Sequence, residues 1–271
     1  MITLEQLQAG LVLPIDKPRQ WTSFQAVNKV KAVIRNVYGI KKFKIGHAGT
    51  LDPLATGLLL VCVGKATKDI SSLQDGDKEY TGTMVIGATT PCYDLEQAID
   101  RYYPYNHITS ELLEQTRHRF EGAIMQVPPM FSAVKVDGQR AYEFARRDDP
   151  TVTIQPKTVL VHSFEITDFR QGGDACEFED TSIHQTPDRS KITEARLHLY
   201  DNPQGEVPSH LPQVDFRIRC GKGTYIRSLA RDFGEALGSG AFLSALRRTQ
   251  IGEYRVDQAM PLSQVQNFFL G

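Results

Sequence analysis

Gly46-His47-Ala48-Gly49-Thr50-Leu51-Asp52-Pro53-Leu54-Ala55-Thr56-Gly57 runs directly into the apolar stretch Leu58 to Val63. Glycine and proline punctuate the first part and unbroken apolar residues make up the second, a pattern that predicts a loop leading into a buried strand. Asp52 is then a carboxylate on a loop beside the core, where reactive groups are commonly placed. Asp before Pro also forms turns for purely local reasons, so the position alone does not make it catalytic. No neighbouring Asp, Glu or paired His stands at ligand spacing, which argues against a metal role and leaves the roles open to a lone carboxylate, base or nucleophile.

Outward from this loop the chain reads as mixed α/β, without internal repeats or low-complexity tracts. Leu11 to Ile15 predicts a short strand ended by Asp16-Lys17-Pro18. Thr22 or Ser23 can cap a helix carrying Val27, Val30, Ile34 and Val37 on one face, with Gly39 placed to stop it. Tyr80 to Ile86 and Val214 to Cys220 alternate as strands do, whereas Ser110 to Phe120, Ala141 to Arg147 and Ile226 to Leu237 have helical periodicity. Gly221-Lys222-Gly223-Thr224 predicts a tight turn into the last of these helices, with Thr224 as its N-cap.

At 271 residues, 41% of them hydrophobic, the chain can bury a sizeable core. The four cysteines, Cys62, Cys92, Cys176 and Cys220, are too scattered for a metal site or disulfide framework. No apolar run approaches the roughly 20 residues that span a bilayer, and the N-terminus lacks the order of a signal peptide, so no membrane partner and a cytoplasmic location are expected. The net charge of −1 hides strong polarisation. Between Asp16 and Lys68 ten bases face two acids, and between Arg217 and Arg248 seven bases face two, while Glu165 to Asp215 carries eleven acids and four bases. Two basic blocks that also hold the most distinctive loops favour a nucleic-acid partner. Nucleotide loops of the familiar kinds are absent: Gly64-Lys65-Ala66-Thr67 lacks the spacing of a P-loop, and Gly221-Lys222-Gly223 lacks the third glycine of a dinucleotide fingerprint.

The Gly46 to Gly57 string resembles the catalytic motif of the TruB-type tRNA pseudouridine synthases. Ile15-Asp16-Lys17-Pro18, Lys78-Glu79-Tyr80, the thumb segment Pro128-Pro129-Met130-Phe131-Ser132-Ala133-Val134-Lys135-Val136-Asp137-Gly138, and Arg219-Cys220-Gly221-Lys222-Gly223-Thr224-Tyr225-Ile226-Arg227 are similar to further motifs of that family, in its order. The resemblance implies a pseudouridine synthase fold: α/β (α+β), a mixed, largely antiparallel sheet flanked by helices, with a thumb-loop insertion. It implies a catalytic domain over residues 1–255, with the thumb at about 124–150 and a polar insertion at about 171–191. A short tail over 256–271 would replace the C-terminal RNA-binding lobe of many relatives.

The resemblance further implies isomerisation of uridine 55 in the T-loop of tRNA, without a cofactor, by a monomer acting on the T-stem-loop. Asp52 would be the nucleophile; addition to the sugar carbon, addition to the base, and elimination to a glycal all remain open for it. Tyr80 would stack on the flipped base, as an aromatic surface must receive a nucleotide taken out of its stack. The same tyrosine would otherwise be an ordinary packed strand residue. Arg227 would pair with Asp52 and keep it ionised, Tyr225 would line the base pocket, and His47 would occupy or guard the space beside the base. Leu246 would form an apolar wall, or else simply pack a helix. A guide-RNA-dependent relative and a non-catalytic RNA-binding module are the competing readings.

Overall fold

The computed structural model describes residues 2–132, 134–136, 138–141, 144, 153–173 and 207–271. In chain order they form α1 (Leu4–Ala9), β1 (Leu11–Lys17), α2 (Ser23–Tyr38), β2 (Ile45–Ala48), β3 (Thr56–Val63), α3 (Ile70–Asp75), β4 (Lys78–Ile86), β5 (Ala88–Thr89) and β6 (Arg101–Tyr102). Then follow α4 (Ser110–Arg117), β7 (Gly122–Gln126), β8 (Lys135–Val136), β9 (Gln139–Arg140), β10 (Lys157–Arg170), β11 (Gln213–Cys220), α5 (Ile226–Ala236), β12 (Ala241–Ile251), β13 (Tyr254–Arg255), β14 (Met260–Pro261) and α6 (Val265–Leu270). The chain divides into two compact units, one of residues 1–81, 219–222 and 246–271, the other of 82–218 and 223–245.

In the first unit the strand order is β14-β1-β3-β12, with β2 also paired to β3 and β13 to β12. β1 and β2 run antiparallel to β3, whereas β14 is parallel to β1 and β12 parallel to β3. β3 is the most deeply placed strand, since every residue from Gly57 to Val63 is buried. Its Leu58 and Leu60 pack with Ala48 and Ile251 in one apolar cluster. Each such leucine contributes about 1.5–3 kcal/mol over leaving it exposed, so the strand that follows Asp52 is a firm anchor. Helix α2 begins with a capping box between Thr22 and Gln25 and ends at Gly39 in the left-handed conformation. Val27, Val30 and Ile34 of the expected stripe are buried. The segment expected as a tail is folded, because β14 pairs with β1 and the Phe269 ring of α6 meets Tyr38 edge-on at 6.1 Å.

In the second unit the order is β4-β11-β10-β7, β7 lying antiparallel to β10 with Gln126 opposite Lys157. The start of the expected thumb is therefore a sheet strand. Phe164 of β10 stacks near Phe233 of α5 at 5.1 Å and meets Phe216 of β11 at 6.3 Å, which seats the buried face of α5 on the sheet. Strands β4, β11 and β12 each contribute residues to both units. The mixed, largely antiparallel sheet with flanking helices is the architecture expected. Four details differ or fall outside. The N-cap of α5 is Tyr225 rather than Thr224, and Leu246 lies in strand β12 rather than in a helix. Most of the expected 141–147 helix and most of the 171–191 insertion lie outside the described residues.

Candidate active site

The Asp52 loop joins β2 to β3, and the first unit holds it from several sides. Ser23, the first residue of α2, donates its hydroxyl to the Leu51 carbonyl at 3.2 Å and accepts from the Leu51 N–H at 2.9 Å. A serine at the start of a helix ordinarily caps it; here Thr22 caps, and Ser23 is released to pin the residue next to Asp52. On the other side, the Gln20 N–H donates to the Pro53 carbonyl at 2.9 Å.

Two fully buried cations complete the support. Lys17, 0% exposed at the end of β1, donates its Nζ to the carbonyls of Trp21 at 2.6 Å, Pro18 at 3.0 Å and Pro53 at 3.3 Å. Arg248, 1% exposed in β12, donates Nε to the Leu58 carbonyl at 2.9 Å and Nη2 to the Gly49 carbonyl at 2.9 Å, with Nη1 near the Thr50 carbonyl at 3.5 Å. One arginine fork therefore bridges the two ends of the loop, and carbonyls satisfy the buried charge. The glycines at those ends make room for it. Gly57 has φ +100°, and a Cβ there would lie 2.3 Å from the Arg248 carbonyl oxygen; Gly49 has φ +82°, with a Cβ 3.3 Å from the guanidinium.

Tyr80, in β4, is buried and close enough to Arg248 to feel its charge. Burial raises its phenol above the ordinary value, an effect the Arg248 charge partly offsets, so the group is protonated at neutral pH. Asp52 is half-buried and close enough to act electrostatically on both Tyr80 and Lys17. His47, in β2, is lowered below its ordinary value by burial first and by the Arg248 charge second, and is neutral at pH 7. Its Nδ1 is buried and has no hydrogen-bond partner among the described residues. Leu246 is half-buried two residues before Arg248, and its carbonyl faces the Thr56 hydroxyl at 3.5 Å. Next to it, Arg247 makes a two-pronged pair with Asp16 at 2.7 and 3.1 Å.

The second unit presets the remaining two positions. Gln126 clamps the backbone of Tyr225, accepting from its N–H at 2.8 Å and donating to its carbonyl at 3.1 Å. Arg227, 4% exposed, lies 3.8 Å from the Asp94 carboxylate and donates to the carbonyls of Phe131 at 2.8 Å and Cys92 at 3.1 Å. Asp94 is itself held by the Glu96 N–H and the Cys92 thiol, both at 2.9 Å. Burial and the Asp94 charge push that thiol well above the ordinary range, so Cys92 is an inert donor. Among the described residues no cluster of three or more His, Cys, Asp or Glu is arranged to hold a metal.

A profile described as TruB family pseudouridylate synthase (N terminal domain) matches residues 35–185, and one described as tRNA pseudouridylate synthase B C-terminal domain matches residues 227–270. The chain belongs to the TruB pseudouridylate synthase family. Similar TruB relatives named tRNA pseudouridine synthase B include that of Flavobacterium johnsoniae, 48% identical over 97% of each chain. Another is that of Phocaeicola vulgatus, 44% identical over 93% of this chain and 89% of its own. Among solved structures, a chain of a Cbf5-Nop10-Gar1 complex aligns over 97% of this chain and 55% of its own length, with TM-score 0.59 and 26% identity. The TruB chain is accordingly an isomerase that converts uridine to pseudouridine in tRNA, on a pseudouridine synthase fold.

Within this TruB site the first unit holds His47, Asp52 and Tyr80, with Arg248 close enough to act electrostatically on His47 and Tyr80 and Leu246 on the same strand as Arg248. Arg248, Ser23 and Asp94 were not legible as site residues, and Lys17 only as part of a motif. The two glycines flanking Asp52 were the signal for Arg248, since paired glycines at loop ends mark the close approach of something bulky. Asp94 had no such signal.

Lys17 carries a pH prediction. Burial pushes its ammonium down to about 8, the Asp52 charge opposing and the Arg248 charge assisting. The unfolded chain therefore binds more protons than the folded one between about 8 and the free-lysine value near 10.4. The burial penalty is complete below pH 8 and relieved as pH rises through that window. Function moves the opposite way, because a neutral amine has two N–H donors for three carbonyls, and the Pro53 contact is the longest. Turnover is expected to fall above pH 8 with an apparent pKa near 8. Comparing pH profiles of kcat for wild type and Lys17→Met checks this; an alkaline limb near 8 that survives in the variant belongs to another group.

Proposed function

We propose that this TruB chain isomerises uridine 55 in the T-loop of tRNA, with Asp52 as the nucleophile, as a cofactor-independent monomer in the cytoplasm. In the reaction the N1–C1′ bond breaks, the uracil turns, a C5–C1′ bond forms, and the C5 proton leaves to water while N1 gains one. The observation that carries the assignment is the support of the Asp52 loop by Ser23, Lys17 and Arg248. Such support fixes a carboxylate before substrate arrives, and positional accuracy of this kind is what bound-state reactions draw on.

Tyr80 would receive the flipped base as a protonated phenol, and the unpartnered Nδ1 of His47 would offer a contact beside it. Leu246 would supply an apolar wall. Tyr225 would line the base pocket, its backbone fixed by Gln126, and Arg227 would pair with Asp52, a role that rests on the motif and not on its contact in the structure, which is with Asp94 at 3.8 Å. A tRNA partner is supported by the names of its relatives, and the basic blocks of the chain suit a phosphate-rich arm such as the T-stem-loop. No helix among the described residues is long and apolar enough to cross a membrane.

The test uses a T-stem-loop carrying tritium at C5 of the target uridine. Wild-type protein is expected to release the label to water in the absence of any guide RNA. Binding without release would reduce the chain to an RNA-binding module, and release only with an added guide would move it to the guided relatives. Release from an analogue labelled at a different loop uridine would reject the position-55 assignment.

A further inference from the structure

Helices α1 and α2 both start on a local capping box, Thr3 with Gln6 and Thr22 with Gln25, in which the glutamine three residues on reaches back to the N–H of the cap residue. Helix α5 starts differently. Its N-cap is Tyr225, which makes no side-chain capping bond, although Ser, Thr, Asp and Asn are the residues that local energetics favour there. Three residues on stands Ser228, whose hydroxyl donates instead to the Val127 carbonyl at 2.8 Å. Ile226, Arg227, Ser228, Leu229 and Ala230 are all buried, so protein groups rather than water must satisfy this helix start. The missing glutamine comes from strand β7. Gln126, 1% exposed and 99 residues away, accepts from the Tyr225 N–H at 2.8 Å and donates to its carbonyl at 3.1 Å.

A cap supplied by tertiary contact frees position 225 from the demands of helix initiation. Helix stability alone would be met by a small polar residue at 225 with a glutamine or glutamate at 228, as in the other two boxes. The tyrosine is retained against that preference, and a side chain in another element carries the cost. We propose that Gln126 is a positioning residue for the isomerisation: its amide fixes the backbone of Tyr225, and so the place from which the tyrosine ring meets the uracil. The anchor is itself immobile. Gln126 ends β7 opposite Lys157 of β10, and the next residue, Val127, accepts from both Ser228 and Arg231, the latter at 3.1 Å. A pocket residue held through its main chain in this way keeps its side chain free for the substrate.

The role rests on the proposed place of Tyr225 in the base pocket, and a double-variant cycle separates the two. Gln126→Met, which fills the volume without either hydrogen bond, is compared with wild type, with Tyr225→Leu and with the double variant, all as the full chain. Melting gives the folded fraction, a titration gives the RNA affinity, and tritium release at saturating RNA gives kcat per folded protein. Gln126→Met is expected to lower kcat by about 30- to 100-fold, the scale of a misplaced pocket group, with affinity within about 2-fold of wild type. In the Tyr225→Leu background the same change is expected to cost less than about 3-fold more, because a residue that acts through another adds nothing once the other is gone. Gln126→Glu keeps an acceptor for the Tyr225 N–H and loses the donor to its carbonyl; it is expected to lose about 10-fold in kcat with the same non-additivity, and stands in for Gln126→Met if that variant does not fold. A folded Gln126 variant with wild-type kcat, or losses that multiply in the double variant, would overturn the positioning role and leave Gln126 a support of the helix alone. Full turnover by Tyr225→Leu would instead remove Tyr225 from the base pocket, and the role of Gln126 with it.

Discussion

Asp52→Asn is expected to abolish tritium release, with a loss of turnover of about 10⁴-fold or more, while the melting temperature and T-stem-loop affinity stay near wild type. The size follows from what removing a reacting nucleophile does elsewhere, where a single group that acts as part of a unit costs about 10⁴ to 10⁶ in rate. The separation of activity from folding follows from the geometry. The loop is held through backbone groups at Gly49, Thr50, Leu51 and Pro53, and the Asp52 side chain is not among the atoms that the Ser23, Lys17 and Arg248 contacts use. Asparagine keeps the shape and loses the charge, so the supports remain in place. Single-turnover kinetics together with a binding titration check the split. Measurable turnover within 10-fold of wild type would remove Asp52 from the nucleophile role.

Arg248→Met is expected to lower both stability and turnover. Methionine fills part of the volume but donates nothing, so the Leu58 and Gly49 carbonyls lose their partner. Each orphaned buried acceptor costs about 1–3 kcal/mol, and together they predict a loss of roughly 2–5 kcal/mol. For a chain of this length that is a melting temperature lower by about 5–15 °C. Turnover is expected to fall about 100-fold even where the variant is folded, because the clamp that closes the two ends of the Asp52 loop is gone. Arg248→Lys is the informative companion. A lysine can reach one carbonyl but cannot span both, so it should regain part of the stability and little of the turnover. A lysine variant with full activity would show that charge alone, rather than the fork, is what the loop needs.

These two expectations mark where sequence reading reached and where it stopped. The loop, the strand beneath it and helix α2 were legible because each is dictated locally: glycine and proline break the chain, an unbroken apolar run seeks burial from both sides, and Thr22 with Gln25 form a capping box. Asp52, Tyr80 and Arg227 were singled out through the ordered motifs, and the structure places the first two in the first unit and the third beside Asp94 in the second. Arg248 was not, although Leu246 nearby was singled out, because its contacts reach back 190 and 199 residues along the chain. Nothing local distinguishes a buried arginine in a strand from a solvated one. The Asp94 to Arg227 pair was hidden for the same reason, its partners being over 130 residues apart. The N-cap of α5 was missed by one residue because Gln126, from strand β7, satisfies the Tyr225 N–H that a capping side chain would otherwise serve nearby.

Ser23 and Thr22 divide between them two tasks that a single residue often performs. One result is a helix start that does not depend on the loop, together with a loop that is bolted to the helix start. A protein built in this way has little freedom to adapt the Asp52 carboxylate to an approaching RNA, so the distortion needed to bring the two together falls on the nucleic acid. The RNAs it selects should then be those whose target nucleotide leaves its stack most cheaply, and discrimination would reside in the pliability of the loop being modified as much as in the letters it contains.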